Sequence, residues 1–196
     1  MNRRSQQVKT LLIQIREAKL IIKTKRLILR PFQQNDFEET FAIYKDEQTC
    51  RFLLHEPWKS DNAHEEFDKK VLKNILDKDH TLNLAIVYED QVIGDLSLWY
   101  TDVKETIEIG YSLNRSFAGN GFASEAVHEM IHQLFYELGV HRVQINMDAR
   151  NTNSQKVCIK IGMRKEAHHI QDFWYKGEWS DSFVYGMLDS EYLEYN

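Results

Sequence analysis

A chain of 196 residues, 42% hydrophobic and 12% aromatic, holds enough apolar material for one ordinary domain with a substantial core. A net charge of −5 withholds the broad basic field that nucleic-acid binding leaves in a sequence, and it favours a cationic substrate over a polyanionic one. With only two cysteines, apolar runs too short for a membrane span and no h-region of a secretory signal, the chain is expected to be soluble, free of disulfides and cytoplasmic.

Residues 1–20 carry an amphipathic pattern (Val8, Leu11, Leu12, Ile15) and read as a helical extension. Residues 21–196 read as a single domain, because neither a Gly/Ser/Pro linker nor an internal repeat divides them. Alternation around Arg26–Arg30 predicts a strand over 20–32, closed by Pro31. Two helices are expected next. Asn35 caps the first, with Glu38 as its capping-box partner, and the second starts at Ser60, Asp61 or Asn62 and turns Phe67, Val71, Leu72, Ile75 and Leu76 inward.

The period then changes. Leu82 to Tyr88 and Val92 to Tyr100 form a hairpin around Glu89–Gln91, and a third strand runs from Thr106 to Leu113. A core-facing helix follows through Ala123, Val127, Met130, Ile131, Leu134 and Leu138, with Gly139 as its C-cap. A strand over 141–147, a short helix over 154–161 and a final hairpin (163–175, 179–188) complete the chain. Cys158 falls on the apolar face of the short helix, where a buried thiol is expected.

The stretch Phe117-Ala118-Gly119-Asn120-Gly121-Phe122-Ala123-Ser124-Glu125-Ala126 carries most of the functional information. Two glycines clear a turn that leads into a helix, so consecutive main-chain N–H groups can converge on a pyrophosphate at the positive end of the helix dipole. A glycine turn that merely starts a helix would look the same. About thirty residues on, Asn151-Thr152-Asn153-Ser154 is followed by Lys160-Ile161-Gly162-Met163, and the pair is far more specific than either part.

Together with Lys25–Pro31, Glu108-Ile109-Gly110-Tyr111 and Lys176–Asp181, these motifs resemble the GNAT acyltransferases, and within them the RimJ/RimL-like branch. The resemblance covers nearly everything after Leu20. It implies an α/β (α+β) fold: a mixed, mostly antiparallel sheet flanked by helices, with two central parallel strands that splay apart. It also implies an acetyl-CoA-dependent N-acetyltransferase that needs no metal, in which an amine attacks the thioester directly. The acceptor implied is a small-molecule amine or a protein α-amine, ribosomal proteins included. Edge strands of the terminal hairpin are available to pair two copies.

By the same resemblance, Ala118, Gly119, Asn120, Gly121, Ala123 and Ser124 hold the pyrophosphate. The family places Gln or Arg where Ala118 stands, which removes a side-chain contact and leaves the main-chain cradle. Backbone groups near Tyr111 and Leu113 hold the pantetheine arm, an N–H near Ile109 or Gly110 polarises the thioester carbonyl, and Asn151 anchors the pantetheine amides. Ser154 lies near the sulfur and protonates the leaving thiolate. Asn151 and Ser154 are also ordinary helix-capping residues.

Glu108 is the candidate proton acceptor for the amine, with an outward polar position as its equal alternative. Relatives that act on ribosomal amino termini carry a further acid at the place of Phe173, so Asp172 beside it is the candidate here, and His168 or His169 would serve as well. Phe52 to Trp58 occupies the region that shapes the acceptor pocket. Two other classes stay open: a noncatalytic acyl-CoA sensor or ribosome-associated module, and, remotely, a zinc hydrolase through the H-E-x-x-H of His128, Glu129 and His132. The helical wheel turns those three away from the apolar face.

Overall fold

The computed structural model describes residues 20–195; the helical extension expected for the first residues lies outside them, except for Leu20. One eight-stranded sheet runs in the order β1-β2-β3-β4-β5-β6-β8-β7. Its strands are β1 Ile22–Lys23, β2 Ile28–Pro31, β3 Leu82–Tyr88, β4 Gln91–Tyr100, β5 Thr106–Leu113, β6 Arg142–Asp148, β7 Arg164–Tyr175 and β8 Glu178–Leu188. The helices are α1 Phe37–Tyr44, α2 Glu47–Cys50, α3 Ala63–Leu72, α4 Phe122–Tyr136, α5 Thr152–Lys160 and α6 Asp189–Tyr195. Among the described residues, no helix is long and apolar enough to cross a membrane.

All neighbouring strands are antiparallel except β5 and β6. That parallel pair holds together only through Thr106↔Arg142, Ile107↔Val143 and Glu108↔Gln144. Beyond those rungs β5 continues along β4 as far as Leu113, and β6 continues along β8 as far as Asp148. The sheet is therefore split into a V whose arms are 109–113 and 145–148.

Period-2 alternation sorts the side chains onto two faces. Leu82, Leu84, Ile86, Leu96, Leu98, Ile107 and Ile109 pack with Val127, Met130 and Leu134 of α4 and Cys158 of α5. The other face carries a smaller cluster, where Ala85, Val87 and Val92 meet Phe32, Ile43, Tyr44, Trp58 and Phe67 from the α1–α3 side. Its middle is polar: Asn83 lies opposite Ser97, Ala85 opposite Asp95, and Ser97 and Trp99 opposite Gly110 and Glu108.

Several boundaries differ from the sequence reading. The strand expected over 20–32 is a hairpin, because the Thr24 hydroxyl accepts the Leu27 amide at 2.8 Å and reverses the chain between β1 and β2. The start of α1 is fixed by Asp36 rather than Asn35 and Glu38. Its carboxylate accepts the Gln33 amide at 2.7 Å and both terminal nitrogens of Arg30.

The second predicted helix stops at Leu72, which is 76% exposed, because the next residues leave for the sheet: the Lys73 carbonyl accepts the Asn83 amide and Asn74 bridges Leu82. Ile75 therefore lies outside the helix, and Leu76 is buried from the loop that follows. Two short helices had no sequence expectation. An Asp46 cap on the Thr49 amide starts α2, and α6 follows β8. The tight turns at Glu89-Asp90 and Lys176-Gly177 hold two consecutive left-handed residues each, the geometry that two-residue hairpins need.

Candidate active site

The open side of the V widens into a cavity of about 470 Å³ between the polar sheet face, the 51–58 segment, α3, the start of α5 and the β7–β8 turn. Glu108, Tyr111, Asn151 and Ser154 all line it, as do Phe52 and Trp58. Glu108 is half-buried and accepts the Gln144 amide at 2.7 Å. Burial pushes its carboxyl above the ordinary carboxylate range, against the Gln144 hydrogen bond, which pulls it down. A proton acceptor tuned upward in this way works nearer neutral pH.

Asn151 caps α5, its Oδ1 accepting the Ser154 amide at 3.1 Å. The Ser154 carbonyl in turn accepts the Tyr111 hydroxyl at 3.3 Å. That phenol, pushed up by burial and next to Cys158, stays protonated. Capping thus fixes the Ser154 main chain and leaves its hydroxyl free to face the cavity.

Beside the V, a 3₁₀ turn over Arg115–Phe117 leads into the glycine loop and α4. The Ala118 amide is spent on the Arg115 carbonyl at 3.0 Å. From 119 to 124 the main-chain amides have no protein acceptor among the described residues, and the first helical bond, from Glu125 to the Gly121 carbonyl, comes only after them. Gly119 and Gly121 both sit at φ +79°, where a side chain is strained.

A Cβ on Gly121 would stand 3.3 Å from Lys160 Nζ and 3.7 Å from Arg26 Nη2, so two cations flank the loop. The loop is braced by Glu125, which accepts from the Thr24 hydroxyl (2.6 Å), the Arg26 amide (2.8 Å) and Arg26 Nε (2.7 Å). Arg26 also reaches the Asn120 carbonyl at 3.1 Å and stacks its guanidinium 4.3 Å over Phe122. Free amides at a helix N-terminus with cations at the rim suit a diphosphate.

Other candidates stand apart. Asp172 is exposed on β7 and does not line the cavity, whereas its neighbour Phe173 does, because alternation turns the two to opposite sides. His168 and His169 are exposed on the same strand, His168 pairing with Asp181 at 3.0 Å. Leu113 lies at the end of β5, opposite Gly94, and packs against the core. His128 and His132 are half-buried on Tyr192 of α6 rather than fully solvated, and Glu129 bonds Gln133. Among the described residues, no group of three His, Cys, Asp or Glu side chains could hold a metal ion.

The sequence reading passed over a buried network in the cavity wall. Asp95 accepts the Tyr44 hydroxyl on both oxygens at 2.8 Å, and Lys70 reaches the same carboxylate. Ser112 contacts Tyr44 at 3.2 Å. Burial would depress the Lys70 ammonium, but Asp95 and the Tyr44 oxygen outweigh it and hold it above its ordinary range. A polar residue interrupting each apolar strand, Asn83 in β3 and Asp95 and Ser97 in β4, was the available signal.

Residues 26–164 match the acetyltransferase (GNAT) domain. The uncharacterized N-acetyltransferase YnaD of Bacillus subtilis (strain 168) is 27% identical over 173 residues, which is 87% of this chain and 98% of that one. A GNAT-family acetyltransferase from Bacillus anthracis superposes with a TM-score of 0.78 at 26% identity, covering 88% of this chain and all (100%) of that one. RimL, a ribosomal L7/L12 alpha-N-protein acetyltransferase in complex with coenzyme A, shares the fold with a TM-score of 0.75 at 17% identity, over 86% of this chain and 98% of that one. The chain belongs to the GNAT family and is an acetyl-CoA-dependent N-acetyltransferase, which moves an acetyl group to an amine.

Proposed function

We propose that residues 21–196 act as one catalytic domain that acetylates a primary amine by direct attack in a ternary complex. The observation that carries this reading is the split between β5 and β6, with acceptor-free amides from 119 to 124 at one end and Glu108 and Ser154 lining the cavity it opens into. The diphosphate of acetyl-CoA lies on Gly119, Asn120, Gly121, Ala123 and Ser124. Main-chain groups near Tyr111 and Leu113, together with Asn151, hold the pantetheine arm along the V.

The amine nitrogen attacks the thioester carbonyl while a main-chain N–H near Ile109 or Gly110 polarises its oxygen. Glu108 takes the proton that the amine loses. As the C–S bond breaks, the Ser154 hydroxyl protonates the departing thiolate and recovers its own proton from solvent. Asp172 plays no part in this scheme, since it faces away from the cavity. Two buried, unpaired thiols, Cys50 and Cys158, agree with a reducing cytosol. Protein α-amines, among them those of ribosomal proteins, fall within the acceptor class.

Calorimetric titration with coenzyme A tests the cosubstrate site. Wild type should bind, and Gly121→Asp, which brings a carboxylate to the diphosphate position, should weaken binding at least about tenfold. Equal affinity in the two proteins would remove the assignment. Free-thiol release with a panel of amines then separates the enzyme from a noncatalytic sensor, which would bind without turnover.

A further inference from the structure

The cavity's charge pattern does not follow from the acidity of the whole chain. Five carboxylates, six Lys or Arg side chains and His55 line it. Four of the carboxylates already face a protein cation: Glu66 meets Lys69, Asp95 meets Lys70, and Asp148 and Glu178 share Arg150. Glu108 is the fifth, and its partner is the neutral Gln144 amide.

Three of the cations, Arg51, Lys73 and Lys176, have no carboxylate within ion-pair distance among the described residues. Lys176 donates to the main-chain carbonyl of Cys50, the residue before Arg51, at 2.7 Å, a bond that does not cancel its charge. Arg51 itself rests 4.9 Å over the Phe52 ring. Next to Lys73 lies Asn83, whose main-chain N–H donates to the Lys73 carbonyl. Asn83 is 4% exposed, and its Oδ1, an acceptor, is buried without a partner in the cavity wall. The wall therefore offers unpaired positive charge at one part, and a carboxylate with no cationic partner, Glu108, at another.

We infer that the acceptor is a primary amine that also carries a carboxylate. Its amine meets Glu108, and its acid end meets the Arg51–Lys176 corner, with Lys73 adding to the field. A polyamine would meet the same three cations and find only one carboxylate unclaimed. This inference rests on the acetyl-transfer reading above and names the acceptor class for it.

Three linear amines of one chain length isolate the effect: an ω-amino acid, the matching diamine and the simple alkylamine. Each is assayed by thiol release from acetyl-CoA, and for binding by quenching of tryptophan fluorescence, since Trp58 and Trp99 line the cavity. The ω-amino acid should lead the diamine about five- to tenfold in kcat/KM, mostly through KM, and the lead should shrink as salt is added. The charge reversals Arg51→Glu and Lys176→Glu should abolish or invert it while coenzyme A affinity stays unchanged.

A diamine used or bound as well as the amino acid overturns the inference, and so does the absence of any preference in both readouts. Failure of coenzyme A to bind the wild-type protein withdraws the acetyl-transfer reading as well, so the calorimetric control tells the two failures apart.

Discussion

Replacing Lys70 with methionine should strand a buried carboxylate. Asp95 is 3% exposed, and with the ammonium gone its remaining hydrogen-bond donor is the neutral Tyr44 hydroxyl. Methionine keeps the packing of the aliphatic stem, so the loss is electrostatic. Breaking a buried ion pair from one side costs about 3–5 kcal/mol, a fifth or more of the roughly 5–15 kcal/mol that holds such a domain together. At about 2–4 °C per kcal/mol for a chain of this size, the melting temperature should fall by roughly 6–20 °C.

Urea melts should show a lower midpoint with an unchanged slope. Adding Asp95→Asn removes the stranded charge, so the double variant should recover at least about half of the loss. The sign with pH follows from the Lys70 shift. Its value is raised on folding, so its contribution is complete below the ordinary lysine range and is lost as pH climbs past it into strong alkali. A loss under about 1 kcal/mol for Lys70→Met, or a double variant no more stable than the single one, would refute the buried-pair reasoning.

Other outcomes are expected on the same grounds. Since burial raises the Glu108 pKa, kcat/KM should rise with pH through a step above the ordinary glutamate range; Glu108→Gln should erase that step and lower kcat about a hundredfold, as rate profiles will show. Gly94→Ala would set a Cβ 2.3 Å from the Ser112 carbonyl oxygen, which cannot yield without parting β4 from β5, so thermal unfolding should report a loss of about 3 kcal/mol. Glu125→Ala deletes the acceptor of three hydrogen bonds and should cost about 2–3 kcal/mol in urea melts. Burial alone would raise the Glu125 pKa, but those bonds outweigh it and lower the value, so its contribution is whole above the ordinary glutamate range and fades as acid titrates through the depressed value.

The sheet meander, α4 and the glycine loop could be read from the sequence because each is set by local rules: alternation, helical period and left-handed glycines. The brace under the loop could not, since Glu125 is about a hundred residues from Thr24 and Arg26 in the chain and meets them only through the fold. The Tyr44–Lys70–Asp95 triad escaped for the same reason, drawing one member each from α1, α3 and β4. The early end of α3 was hidden because the competitor for the Lys73 carbonyl is a strand amide, Asn83, ten positions on. Asp172 is favoured over Phe173 by chemical type alone, whereas the pleat of β7 decides which of them turns toward the cavity.

The three rungs between β5 and β6 have a mechanical consequence. Among the described residues they are the only backbone ladder joining strands β1–β5 to strands β6–β8, so the sheet is two plates riveted along a short seam, with bare edges above it. A guest that lies along those edges and bonds to both would act as extra rivets, and amide hydrogen exchange in 109–113 and 145–148 should slow together when it does. Recognition and stiffening would then be one event, and the empty enzyme should breathe most along the line where its substrates meet.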